Sequence, residues 1–155
     1  MDFTQLARQN PWRAGKQAIE GDVDIAKWRE KRFKWVPGFV GEFSLEWIGL
    51  HVLLGPRQTG KTTSVKLLIK RFLGECDAKS IFYFNCEFVG DFKELIEVIE
   101  AYLDFRENNG LDKSLIVLDE VSSPSEWFRG IKFLIDSGRL KNDVLLYIRS
   151  FFQHF

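Results

Sequence analysis

His51–Ser64 read HVLLGPRQTGKTTS. A compact apolar run, HVLL, leads straight into GPRQTGKT, which fits the pattern G-x-x-x-x-G-K-[ST]. Glycines at both ends of the loop, Gly55 and Gly60, permit backbone angles that a side chain opposes, so successive amides can converge on phosphate oxygens. Gly55, Pro56, Arg57, Gln58, Thr59, Gly60, Lys61, Thr62 and Thr63 are therefore the candidate cradle for the phosphates of a nucleotide. In this pattern the lysine, Lys61, reaches the β- and γ-phosphates, and the Thr62 hydroxyl is placed to ligate Mg²⁺. Downstream, Val65, Leu68, Ile69 and Phe72 recur at helical spacing, and Gly74 supplies the stop. The helix opens on the loop and adds the positive end of its dipole to the cradle. A strand before and a helix after are the context this loop requires.

The second chemical signal is LIVLDE, Leu115–Glu120. An apolar strand ending in two acids puts Asp119 at the carboxyl edge of a sheet, where ligands of open α/β folds bind. Asp119 is the candidate Mg²⁺ residue with Thr62, and Glu120 is the candidate base that polarises an attacking water. Lys61 and Glu120 are the candidate catalytic pair.

Between and beyond these motifs the punctuation is regular. Phe43, Leu45 and Trp47 alternate as a short strand does, and Ser80–Cys86 (SIFYFNC) is rich in strand formers. Asp91 with Glu94 reads as a capping box for a helix striped by Phe92, Leu95, Ile96, Ile99, Tyr102 and Leu103, ended by Asn108-Asn109-Gly110. Ser123, Pro124 and Glu126 read as N-cap, first-turn proline and capping partner of a last helix. That helix is expected to bury Trp127, Ile131, Leu134 and Ile135 and to close at Gly138. Asp143–Arg149 (DVLLYIR) is the final strand. Apolar strands alternating with helices predict an α/β fold, a mostly parallel sheet with helices on both faces.

Composition narrows the class. At 155 residues and 45% apolar content the chain suits one globular core rather than a disordered segment. The 22 basic and 22 acidic residues cancel, so overall charge recommends no polyanionic partner. No apolar run approaches a membrane span, and the start MDFTQLARQN lacks the pattern of a signal peptide, so a cytoplasmic protein without a membrane partner is expected. Cys76 and Cys86 form no C-x-x-C pair and indicate neither zinc nor a disulfide framework.

GPRQTGKTT, IFYFNCE and LIVLDEVSSPSEWFRGIKFLIDSGRL together resemble the prokaryotic, especially archaeal, AAA-type ATPases over residues ~42–147. Asn10-Pro11-Trp12 near the start fits the same family. The resemblance implies a P-loop NTPase of the additional-strand type, with ATP or ADP and Mg²⁺ as ligands. It also implies that the DVLLYIR strand slots between HVLL and LIVLDE. Such ATPases carry a polar sensor after the last of these strands, where this chain has Tyr147-Ile148-Arg149-Ser150 and Ser150 is the stand-in. The family continues into a fifth strand, a lid and an arginine finger that have no counterpart here. The expected organisation is thus an N-terminal arm (1–40), basic and partly helical, and a core (41–155) incomplete at its C-terminal end. Two functions fit: ATP hydrolysis, or a nucleotide-binding module with little turnover that acts in partner or DNA recognition.

Lys27–Trp35 (KWREKRFKW) interleaves five cations with three rings. It reads either as a grip for single-stranded nucleic acid or as a solvated helical face that buries Trp28 and Trp35. Arg129 and Arg139 lie where a finger toward a neighbouring subunit could start, although ordinary surface arginines fit as well. His51 and His154 read as structural. An uncovered HVLL edge, with Phe151, Phe152 and Phe155 close together, predicts self-association through residues ~148–155 or the arm.

Overall fold

The computed structural model describes residues 3–151. Four strands form one sheet: β1 (Gly49–Pro56), β2 (Ile81–Asn85), β3 (Leu115–Asp119) and β4 (Val144–Phe151), in the order β1-β4-β3-β2. All three pairings are parallel. The last strand therefore sits between HVLL and LIVLD, as the resemblance implies.

Strand periodicity sorts the core into two halves. Ile81 and Tyr83 of β2, Leu115 and Val117 of β3, and Val144, Leu146 and Ile148 of β4 face the helix that follows the glycine loop, α4 (Lys61–Leu73). Phe82, Phe84, Ile116, Leu118 and Leu145 face α5 (Phe92–Asn108) and α6 (Trp127–Asp136) on the other side. Successive side chains alternate between faces, and both sets are apolar, as a doubly covered parallel sheet demands. Gly130 lets α5 and α6 approach closely, since a Cβ there would lie 3.2 Å from the Phe92 carbonyl oxygen.

The N-terminal region packs mainly on the α4 side, while Leu6 joins the α5 side and Arg13 lies over Phe82, Tyr102 and Phe105 there. It comprises α1 (Phe3–Gln9), two 3₁₀ turns, α2 (Val23–Glu30) and α3 (Gly38–Glu42). Trp12, Ile19, Ile25, Val40 and Phe43 join the α4 core. The start of this region also closes one sheet edge. The Gln9 side chain accepts from Asn85 N at 2.6 Å. Asn10 accepts from Tyr83 N at 2.7 Å and donates to Tyr83 O at 2.9 Å. Trp12 Nε1 donates to Ile81 O at 3.1 Å. Side chains thus take the place of a neighbouring strand along β2, which gives Asn10-Pro11-Trp12 a physical role.

Four expectations are corrected. Phe43, Leu45 and Trp47 form no strand; the segment bends, because Phe43 turns into the core against Phe72 and its carbonyl accepts from Arg71 at 2.8 Å. The last helix begins at Trp127, not after Ser123, because Ser125 is held in a bridge to the start of α5 through Phe92 N and Gly90 O, both at 3.0 Å. Glu126 then precedes the helix in a left-handed conformation, φ 53°, without capping through its side chain. Ile135 is 47% exposed, because α6 buries only its Gly130-Ile131-Leu134 stripe. Trp28 and Trp35 share no helical face, because α2 stops at Glu30 and Trp35 points outward.

The opposite edge is uncovered. Among the described strands β1 pairs only with β4, and Leu50, Val52 and Leu54 are exposed on the α6 side. A hollow of about 230 Å³ runs between Leu50, Ile135, Leu140 and Leu145, and one of about 280 Å³ between Leu50, Trp127, Phe128 and Ile131.

Asn10→Ala strips two bonds from the Tyr83 backbone inside a buried site. Its unfolding free energy in urea should fall by about 2–4 kcal/mol. A loss below ~0.5 kcal/mol would mean that water can replace the side chain along β2.

Candidate nucleotide site

The glycine loop leaves β1 at Pro56 and turns through Arg57–Gly60 into α4. Two residues take left-handed backbone, Gln58 (φ 59°) and Gly60 (φ 81°). Gly60 faces open space, and a Cβ on Gly55 would meet Lys61 Cδ at 3.4 Å and Thr59 Oγ1 at 3.6 Å. Gly60 thus supplies a left-handed turn into α4, and Gly55 lies against the Thr59 and Lys61 side chains. Thr59 Oγ1 donates to Pro56 O at 2.8 Å, and Lys61 Nζ folds back to donate to that same carbonyl. Ser64 locks the first helical turn by bonding Gly60 O through both its amide (2.9 Å) and its hydroxyl (2.8 Å).

Asp119 ends β3 opposite Asn85 of β2 and is almost fully buried. Its Oδ2 accepts from Thr62 Oγ1 at 2.7 Å and from Tyr83 Oη at 2.6 Å, while Oδ1 accepts from Glu120 N at 2.9 Å. With its proton committed to Asp119, the Thr62 hydroxyl keeps lone pairs free for a metal. Burial, and then the Asp119 charge, push the Tyr83 phenol well above the usual tyrosine range, so Tyr83 remains a donor.

Glu120 sits just past the strand with φ 49°, one of three non-glycine residues described in the left-handed region. Its Oε1 accepts from Ser150 Oγ at 3.0 Å. Ser150 lies opposite Gly55 in the β1–β4 register, so the loop, Glu120 and Ser150 share one edge of the sheet.

Lys61, Thr62, Asp119 and Glu120 are thus brought together. Arg129 and Arg139 are not. Arg129 pairs with Glu126 at 3.1 Å and covers Phe92, and Arg139 pairs with Asp104 at 2.8 Å and Glu107 at 3.2 Å. His51 Nε2 lies 2.7 Å from Trp47 O, while His154, Phe152 and Phe155 fall outside the described residues. Among the described residues no group of three or more His, Cys, Asp or Glu is placed to hold a metal by itself. The donor set is one hydroxyl and one carboxylate, which suits an ion that brings phosphate oxygens and water with it, as Mg²⁺ does.

Sequence reasoning missed Tyr83. The available signal was a hydroxyl in the middle of IFYFN, since a buried tyrosine needs a partner for its O–H.

A family model described as an AAA domain matches residues 49–147, more than half of the chain. The chain belongs to the AAA domain family. Membership supports nucleotide binding, and the parallel sheet with helices on both faces is the α/β fold expected for it. Among solved structures, PCH-2 of C. elegans is 16% identical with TM-score 0.45, covering 96% of this chain and 37% of that one. Trip13 of Rhizobiales is 17% identical with TM-score 0.42, covering 95% and 53%. The DnaC helicase loader is 21% identical with TM-score 0.41, covering 86% and 75%. The chain spans only about a third and about half of the first two structures. No curated protein matches it. No described helix is long and apolar enough to cross a membrane.

Tyr83→Phe removes one of two hydroxyl donors from a buried carboxylate oxygen. Unfolding in urea should show a loss of about 1.5–3 kcal/mol, the range for a hydrogen bond to a charged group. Unchanged stability would show that the phenol contributes nothing to holding Asp119.

Proposed function

We propose that the chain binds ATP and ADP with Mg²⁺ and hydrolyses ATP by in-line attack of water. The observation that carries this reading is the 2.7 Å bond from Thr62 to Asp119, which joins the two motifs across fifty-seven residues of sequence. The amides of the Gly55–Thr63 loop wrap the phosphates. Lys61 exchanges the Pro56 carbonyl for β- and γ-phosphate oxygens. Thr62 and Asp119 hold Mg²⁺, which, when bound, offsets charge on the transferred group. Glu120 orients and polarises the water, and Ser150 sets the position of its carboxylate. The finer placement among archaeal-type AAA ATPases rests on the wording of GPRQTGKTT. The division into an arm (1–40) and a core (41–155), and a cytoplasmic setting with free Cys76 and Cys86, belong to the same proposal.

A second reading is a nucleotide-binding module with little turnover. It is favoured by Glu120 being engaged by Ser150, and by Arg129 and Arg139 both being paired within their own chain. Calorimetric titration with ATP and Mg²⁺, followed by turnover on the same sample, separates the two. Binding in the micromolar range is expected, on the order of −7 to −8 kcal/mol. Lys61→Ala should remove most of it; normal ATP binding by that variant would sink the site assignment. Glu120→Gln should bind like the parent and lose turnover. Equal absence of turnover in both leaves a binding module.

We further propose that a second copy covers the open edge of β1. The strand GLHVLLGP carries no Asp, Glu, Lys or Arg to repel a copy of itself, and its outer backbone groups and apolar row await a partner. Light scattering should show a concentration-dependent dimer or larger species. Val52→Lys, on the exposed face, should shift it to monomer without weakening ATP binding. A strictly monomeric parent chain at high concentration would overturn the proposal.

A further inference from the structure

The segment after α2 is surface, not core. Helix α2 ends at Glu30 because Lys31 turns to extended backbone (ψ 140°), and the chain runs on through Pro37 without helix or strand. Trp28 packs against the core, and its Nε1 donates to Trp35 O at 3.1 Å, tying the far end of the segment to the protein. That tether takes the Trp35 backbone and leaves its ring outside. Phe33 is 82% exposed and Trp35 71%, the highest values among the large apolar side chains described.

Most of the cations around these rings form no ion pair, although Glu30 lies within the same stretch. Arg29 is held by Glu20. Among the described residues no ion pair involves Lys27, Lys31, Arg32 or Lys34, and the Arg32 guanidinium lies 5.7 Å from the centre of the Phe33 ring. The chain as a whole is neutral, so five cations against one acid in Lys27–Trp35 is a local excess of positive charge. A complementary ligand must offer flat apolar faces and closely spaced negative charge together. An acidic peptide brings charge with few flat faces, and a duplex hides its base faces in the stack. Single-stranded nucleic acid presents both, base against ring and phosphate against cation. The seven residues Lys31–Pro37 span at most about 25 Å, enough for a site at the short end of the range of about 4–16 nucleotides known for such grooves.

We propose that the Lys27–Trp35 surface binds single-stranded nucleic acid, with Phe33 and Trp35 stacking on bases and Lys31, Arg32 and Lys34 contacting phosphates. The proposal does not depend on the ATP reading, because none of these residues belongs to the glycine loop or the acidic pair.

The test is fluorescence anisotropy of labelled dT20 and rU20 with the full chain, without nucleotide, from 50 to 200 mM NaCl. Binding should weaken with salt at a log–log slope of about −2 to −3, as three or four phosphate contacts on a single strand require. Phe33→Ala and Trp35→Ala should each weaken binding at least about fivefold while the slope stays the same. The triple change Lys31→Ala, Arg32→Ala, Lys34→Ala should flatten the slope toward zero. All these side chains are exposed, so circular dichroism and melting temperature should match the parent for every variant. No binding at 50 mM NaCl overturns the proposal. So does duplex binding as tight as single-strand binding, or affinity that survives both ring changes combined. Capture by vesicles rich in phosphatidylserine without oligonucleotide binding would reassign the surface to a membrane and overturn it too.

Discussion

Two hydroxyls meet on one carboxylate oxygen, and the geometry of the site follows from that meeting. Thr62 comes from the first turn of α4 and Tyr83 from the middle of β2, and both donate to Asp119 Oδ2 at the end of β3. A buried carboxylate without partners costs several kcal/mol, whereas each hydrogen bond to a charged group returns about 1.5–3. Asp119 is therefore tolerable only where α4 and β2 both reach it. The strand order β1-β4-β3-β2 supplies this, since it sets β3 beside β2 with Asn85 opposite Asp119. Strand alternation then turns Tyr83 toward the α4 face, the same face on which Thr62 waits.

The sheet treats its two edges differently. Along β2 the outward groups of Ile81, Tyr83 and Asn85 are met by Trp12, Asn10 and Gln9, so the edge is closed without another strand. Along β1 no described element does this. The Phe43–Ile48 segment, which could have lain beside β1, is drawn instead to the end of α4 by Arg71 and Phe72. Covering helix and edge strand also part company here, because α6 buries its stripe over β3 and β4 and leaves Leu50, Val52 and Leu54 open. The Tyr83 edge supports the acidic strand, while the open edge carries the glycine loop at its end.

The fold was legible where local signals and burial agree. HVLL, IFYFN and LIVLD are short apolar runs bounded by turn residues, and each is a parallel strand. Helix α4 ends before Gly74 and α5 before Asn109 and the left-handed Gly110, where the sequence placed the stops, and Asp91 caps α5 by accepting from Glu94 N at 2.9 Å. The loop and the acidic pair were each marked by local sequence, and the fold brings Thr62 and Asp119 to 2.7 Å. Long-range competition was not readable. Ser123-Pro124 looks like a helix start, yet the backbone of Ser125 is claimed by Gly90 and Phe92, thirty-odd residues away. Alternation in Phe43-Leu45-Trp47 is real, yet Phe72 takes Phe43. The role of Tyr83 escaped because its partner Asp119 lies far off in sequence, and Asn10 was marked only as part of Asn10-Pro11-Trp12, without its bonds to the Tyr83 backbone.

Helix α4 shows what the N-terminal region does for the site. Its first turn is fixed by Thr62 on Asp119. Its middle is fixed by Lys66, which reaches Asp22 at 2.8 Å and Asp24 at 2.7 Å. Burial alone lowers the affinity of Lys66 for its proton, but bonds to the two carboxylates outweigh that and raise its pKa, so the pairing keeps it charged. The last turn is fixed by Arg71, which donates to Val40 O and Phe43 O, both at 2.8 Å. Two of these three anchors come from residues before the sheet begins. A helix held at three points along its length has little freedom to slide or tilt, and the loop at its N-terminus inherits that rigidity. Amides that must converge on phosphate oxygens gain from being set in place beforehand, since ordering them at the moment of binding would cost affinity. The N-terminal region is thus part of the cradle's support.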